Sequence, residues 1–122
     1  MENKFKVWCK DKNEWEKDNC FINEQGNILH ETSRGGLLPL RKENHIVLFY
    51  TGLKDKNKEK IFEGDVISCN GKWKATIERH EYSGGWYFKN TEGNYVSVCN
   101  QKNMEYMEKL GNKYSDPELL NE

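Results

Sequence analysis

No run of apolar residues in this sequence is longer than the five from Ile46 to Tyr50. A bilayer-spanning helix needs about 20, so no transmembrane helix is expected. The opening residues, MENKFKVWCK, lack the apolar core of a signal peptide, which predicts a cytoplasmic location. Charge of one sign is missing too. With 19 basic and 20 acidic residues the formal net charge is −1, so there is no global pull toward nucleic acid or an anionic membrane. The four cysteines, at 9, 20, 69 and 99, form no C-x-x-C pair, and His30, His45 and His80 do not stand beside them at zinc-finger spacing. Free, buried or half-buried thiols are expected, with no metal and no cofactor.

Leu, Ile, Val and Phe are sparse, but four Trp and six Tyr supply large buriable surfaces. Weak self-repulsion and these aromatics argue for a folded domain with a thin core. At 122 residues the chain is one domain, or two small modules.

Short strands and turns dominate. Phe5, Val7 and Cys9 alternate with Lys4, Lys6 and Trp8, the period of a half-buried strand. The tetrapeptide Lys-Asp-Lys-Asn occurs at 10–13 and again at 54–57, each copy a candidate hairpin tip. Glu24-Gln25-Gly26-Asn27 reads as a turn, Ser33-Arg34-Gly35-Gly36 as a loop ended by Pro39, and Ile46–Tyr50 as a buried strand. Asn70-Gly71 predicts a two-residue hairpin loop that pairs Cys69 with Lys72, Ser68 with Trp73, Ile67 with Lys74 and Val66 with Ala75. That register gathers Val66, Trp73, Ala75 and Ile77 on one side, and Lys72, Lys74, Thr76 and Glu78 on the other.

After Gly84-Gly85, Trp86–Phe88 and Tyr95–Val98 flank a polar loop as a second hairpin. Met104, Met107 and Leu110 fit one face of a helix, or a loop feeding a strand around Leu110–Tyr114. Ser115-Asp116-Pro117-Glu118 starts a short C-terminal helix over Pro117–Leu120. Strands recurring about every ten residues predict a mainly β fold, a small barrel or sandwich.

Tyr50-Thr51-Gly52-Leu53-Lys54-Asp55-Lys56-Asn57, followed by Ile61-Phe62-Glu63-Gly64-Asp65-Val66-Ile67, resembles the signature of the YopX family of phage and prophage proteins. Phe5-Lys6-Val7-Trp8 resembles the family's opening strand. Gly111-Asn112-Lys113-Tyr114 and Asp116-Pro117-Glu118-Leu119-Leu120 resemble its closing segment. The resemblance implies an SH3-like barrel over residues 51–122 and a β-rich N-terminal portion over 1–50. It brings no established activity. At Lys58 the family usually has Gly, which leaves Asn57 to take the left-handed conformation alone.

No catalytic constellation emerges, so the chain is expected not to be an enzyme, and no small-molecule substrate is evident. Glu63-Gly64-Asp65 reads as the entry to a strand before it reads as a carboxylate pair. His80-Glu81 lacks the second His of a zinc helix, since Gly84 stands in its place. Ser33–Gly36 lacks the context of a phosphate loop, and no local signature supports Cys–His nucleophile chemistry. The expected role is interaction with a protein partner or self-association, as an accessory protein acting on the host or its defences. The alternative is a nucleic-acid-binding barrel. Lys72, Lys74, Trp86 and Tyr87 are the candidate binding residues, because basic and aromatic side chains together stack bases and neutralise phosphates.

Overall fold

A computed structural model describes residues 4–121. The protein is mainly β, with one short α-helix. The chain divides into two compact units, Phe5–Leu48 and the remainder from Phe49 onward together with the N-terminal residues.

The first unit holds β1 (Phe5–Cys9), β2 (Glu14–Trp15), β3 (Cys20–Ile22), β4 (Ile28–Glu31), β5 (Leu37–Pro39), a 3₁₀ turn (Lys42–Asn44) and the start of β6 (His45–Lys54). Its first Lys-Asp-Lys-Asn turns β1 back into β2, pairing Trp8 with Trp15 and Cys9 with Glu14. The two indoles meet edge to face at 4.9 Å, which buries Trp8 and interrupts the simple alternation expected of β1. β3, β4 and β5 form an antiparallel three-stranded sheet in which Cys20 lies opposite His30.

In the second unit the rest of β6 pairs with β7 (Lys60–Phe62). There follow β8 (Asp65–Cys69), β9 (Trp73–Arg79), β10 (Trp86–Lys89), β11 (Tyr95–Val98), α1 (Gln101–Met104), β12 (Glu108–Asn112) and a 3₁₀ turn (Pro117–Leu120). The barrel expected here takes the form of a curled half-barrel sheet in the order β11-β10-β9-β8-β12. Ile61, Ile67, Ala75, Ile77, Phe88, Cys99 and Met104 make its core, with Leu53, Trp73, Trp86 and Met107 packed around them. Met104 ends α1 while Leu110 lies in β12, so the two readings of that segment each hold for part of it. The C-terminal helix is a single 3₁₀ turn with Pro at its start.

The β8–β9 hairpin differs from the expected register by one residue. Asn70 (φ 53°) and Gly71 (φ 71°) are both left-handed, as that dipeptide favours. The loop nevertheless closes one residue later, because Lys72 N–H donates to Cys69 O and Ser68 Oγ accepts from Gly71 N–H. Cys69 therefore pairs with Trp73, Ile67 with Ala75 and Val66 with Thr76. Opposed residues share a face, so Ile67 joins Trp73, Ala75 and Ile77 in this cluster, while Val66, also fully buried, lies on the opposite face beside Thr76.

One turn recurs at 23–27, 32–36, 55–59 and 90–94. In each, the first residue's N–H bonds the fifth residue's carbonyl, its carbonyl accepts from the fourth N–H, and its side chain accepts at least one further backbone N–H. The fourth position is left-handed: Gly26, Gly35 and Gly93 at φ 80–88°, and Lys58 at φ 64°. Lys58, not Asn57, therefore carries the strained conformation in the second Lys-Asp-Lys-Asn copy, while in the first it falls on Asn13 (φ 54°). An L-residue with a Cβ costs about 1–2 kcal/mol there, and glycine gives part of that back through its looser unfolded state. Lys58→Gly is expected to stabilise the protein by about 1 kcal/mol, read as a higher urea midpoint at unchanged m. A neutral or destabilising result would refute the strain assigned to Lys58.

All four cysteines are free thiols, Cys9 and Cys99 buried. Burial pushes the Cys99 thiol up to about 12. Burial, then the charges of Glu16 and Asp18, push Cys20 up to about 11.

Candidate interaction surface

β9, β10 and β11 are antiparallel neighbours, with β11 at the edge of its sheet. Trp86 pairs with Arg79, Tyr87 with Glu78 and Lys89 with Thr76, while β11 sets Val98 opposite Tyr87 and Tyr95 opposite Lys89. Successive residues of a strand point to opposite faces. Trp86 accordingly turns toward the core, with the Arg79 guanidinium 4.8 Å from its ring, and Tyr87 turns outward.

On the outer face three tyrosine rings gather around His80. Tyr95 lies 4.8 Å from it, Tyr87 5.0 Å and Tyr82 5.8 Å, and the Lys89 ammonium sits 5.2 Å from the Tyr95 ring. The loop between β9 and β10 builds this cluster. His80 N–H and Gly84 N–H close the turn onto Gly85 O and His80 O. His80 Nδ1 accepts from the backbone N–H groups of Tyr82 and Ser83, so this nitrogen is the unprotonated one and the ring is held in place. Tyr82 is 89% exposed, and every residue of β11 is exposed, including Val96 and Val98. A fixed group of aromatic rings beside exposed valines can exclude water from a partner's apolar side chains, and the tyrosine hydroxyls can hydrogen-bond at the rim.

Lys72 and Lys74 lie elsewhere, lining a cleft of about 380 Å³ with Trp73, Asn90, Glu92 and Leu119. The Lys74 ammonium donates to Leu119 O at 3.2 Å. The four residues singled out from the sequence thus separate: two lysines in the cleft, Tyr87 in the aromatic cluster, Trp86 against the core. His80, Tyr82 and Tyr95 were not legible as binding residues, because they meet only once the β10–β11 register, with its bulge between Phe88 and Lys89, is known.

The two acids of Glu63-Gly64-Asp65 do not act as a pair. Asp65 is fully buried, its Oδ2 accepting from Phe62 N–H at 2.7 Å and lying 3.3 Å from the Lys109 ammonium, its Oδ1 accepting from Asn112 Nδ2. Glu63 lies outward of it, with Oε1 3.4 Å from Phe49 N. The Lys109 ammonium fills the position a metal ion would need beside Asp65.

A family model described as YopX protein matches residues 4–121. Among solved structures the chain is similar to protein EF1440 from Enterococcus faecalis, with a TM-score of 0.67 and 21% identity over 96% of each chain. It is also similar to protein yopX from Bacillus subtilis, with a TM-score of 0.59 and 16% identity over 98% of each chain. At such identities the likeness is one of fold. No curated protein matches by sequence.

Proposed function

The chain belongs to the YopX family, and from that premise we propose that it is a small non-enzymatic accessory protein of a phage or prophage that binds a protein partner through the outer face of β9–β11. The observation that carries this reading is the His80, Tyr82, Tyr87 and Tyr95 cluster, rigid at its centre and exposed at its rim. Tyrosines in such a cluster are the side chains that concentrate binding energy at protein interfaces. Self-association through the same face is the homotypic form of the same activity.

The alternative, nucleic-acid binding, draws support from Lys72 and Lys74 in one cleft beside Trp73. Against it, Glu92 lines the same cleft, Lys74 is bonded to Leu119 O, and the overall charge is −1. Trp86 is turned away, so the stacking platform that the sequence suggested is not assembled on one face.

Sedimentation of the purified chain across a concentration series, and crosslinking capture from bacterial lysate, test the first reading against a Tyr82→Ala/Tyr95→Ala variant. Both side chains are exposed, so the variant is expected to fold normally and to lose affinity for the captured or self-associated partner by about ten-fold or more. Capture that the variant leaves unchanged would overturn the assignment. Labelled single- and double-stranded oligonucleotides at low salt, where phosphate contacts are strongest, are expected to show no binding. Salt-sensitive binding lost in Lys72→Ala/Lys74→Ala would establish the alternative.

A further inference from the structure

The first unit brings together four side chains that the sequence keeps apart. Glu16 and Asp18 lie in the connection between β2 and β3, His30 lies in β4, and His45 opens β6. One donor atom each from Glu16, Asp18 and His30 falls within 4.8 Å of the other two. His30 Nδ1 is 2.9 Å from Asp18 Oδ2, and His45 Nε2 is 3.9 Å from Glu16 Oε2. The backbone around them is tied down. Glu16 N–H donates to Val7 O, and Glu31 N–H donates to Asn19 O, which clamps the segment carrying Asp18 onto the strand carrying His30.

We propose that Glu16, Asp18 and His30 form a binding site for a divalent first-row transition ion, Zn²⁺ in particular, with His45 at its edge. The donor set decides the class of ion. An imidazole nitrogen among two carboxylate oxygens suits Zn²⁺ and its neighbours, whereas Ca²⁺ and Mg²⁺ prefer all-oxygen shells. Three protein donors with the remaining position open to water is the arrangement of a non-structural zinc site. Bonds of about 2.0–2.1 Å set tetrahedral donors roughly 3.3 Å apart, so donors as far apart as 4.8 Å need to close by up to about 1.5 Å, while His30 Nδ1 and Asp18 Oδ2, at 2.9 Å, already lie inside that spacing. Asp18, whose side chain is 48% exposed, has the freedom to do so and leaves the ion a way in.

His45 stands beside the cluster. Its side chain is only 8% exposed, and its Nδ1 lies 2.7 Å from Arg41 O, which makes that nitrogen the donor. Its Nε2 then faces the Glu16 carboxylate from beyond hydrogen-bond reach. The Arg41 carbonyl fixes the ring at the edge of the cluster. Spacing rules could not find this site, because residues 16, 18, 30 and 45 follow no short motif and are joined by strand pairing alone.

The test is a calorimetric titration of the full chain with Zn²⁺ after chelator treatment, repeated with Co²⁺ to read its visible absorption. One equivalent is expected to bind at micromolar concentration, with the Co²⁺ bands of low coordination. His30→Ala and Asp18→Asn are each expected to weaken binding by at least about ten-fold, since each removes one of the three protein donors. Millimolar Ca²⁺ or Mg²⁺ is expected not to compete. Far-UV circular dichroism checks each variant, and His30→Gln replaces any His30→Ala protein that fails to fold. The proposal is overturned by the absence of saturable binding below millimolar Zn²⁺, by affinity unchanged in the folded His30 and Asp18 variants (an ion held elsewhere), or by equal competition from Ca²⁺.

Discussion

Asp65→Ala is expected to lower folding stability by about 3–5 kcal/mol, the loss that follows when one member of a buried charged group is removed and the others stay. Three partners would be stranded. Phe62 N–H loses its acceptor, Asn112 Nδ2 loses one of its two, and the Lys109 ammonium, held also by Lys60 O, loses its counter-charge. Asp65→Asn keeps the volume but replaces one acceptor oxygen with an NH₂ group, which must then face Phe62 N–H or the Asn112 amide. It is expected to lose nearly as much. Urea unfolding followed by Trp73 and Trp86 fluorescence reads both, and a loss under about 1 kcal/mol would contradict the account of Asp65 as the central polar tie of this unit.

The second largest effect is expected at Asp55. Its Oδ1 accepts from the N–H groups of Asn57 and Glu59, closing the 55–59 turn, and its Oδ2 accepts from Lys109 N–H across the sequence in β12. Asp55→Ala removes all three bonds and is expected to destabilise by about 2–4 kcal/mol, since each bond to a charged group is worth about 1.5–3 kcal/mol and part of the loss is recovered by water at the turn. Asp55→Asn separates the two roles. Asn23 and Asn90 close the same turn with one amide oxygen, so the variant should keep it. The tie to Lys109 N–H needs a second oxygen and is lost, at about 1–2 kcal/mol. Amide hydrogen exchange at Lys109 distinguishes the two variants from a general loosening: in Asp55→Asn it should rise while Asn57 and Glu59 remain protected.

Together these two aspartates explain why residues 51–67 and 111–114 both carry a recognisable pattern. Asp55 reaches the backbone of Lys109, Asp65 reaches its ammonium, and Asn112 bonds both Asp65 and Glu63 O. Gly64, left-handed at φ 81°, lets the chain turn between them, its N–H donating to Ile77 O and its carbonyl accepting from Lys113 N–H. A Cβ on Gly111 would come within 2.5 Å of Asp116 Oδ2 and 2.8 Å of Leu119 Cδ1, so the closing segment needs glycine where it passes beneath its own 3₁₀ turn. The two stretches are halves of one polar clamp that fastens β12 beside β8. Their sequence specificity is structural.

Local chemistry made much of this fold legible. Alternating apolar residues marked the strands, and glycine, asparagine and aspartate marked the turns, because those preferences act over a few residues. They placed the hairpins of β1–β2, β3–β4, β8–β9 and β10–β11 and put Trp73, Ala75 and Ile77 on a core face. Everything decided by a single residue of register was beyond them. The three-residue loop at Asn70–Lys72 set Ile67 rather than Val66 on the face of Trp73 and Ala75, and the left-handed strain passed from Asn57 to Lys58. Alternation along β10 separated Trp86 from Tyr87. The sequence by itself determined most of the hairpin strands, most of the turns and which family it resembles, while β5 and the course of 104–112 were settled by the fold. Only the tertiary structure decided which side chains meet, since the groupings of His80 with Tyr95, of Asp65 with Lys109 and of Glu16 with His30 depend on pairings between distant strands that no local preference encodes.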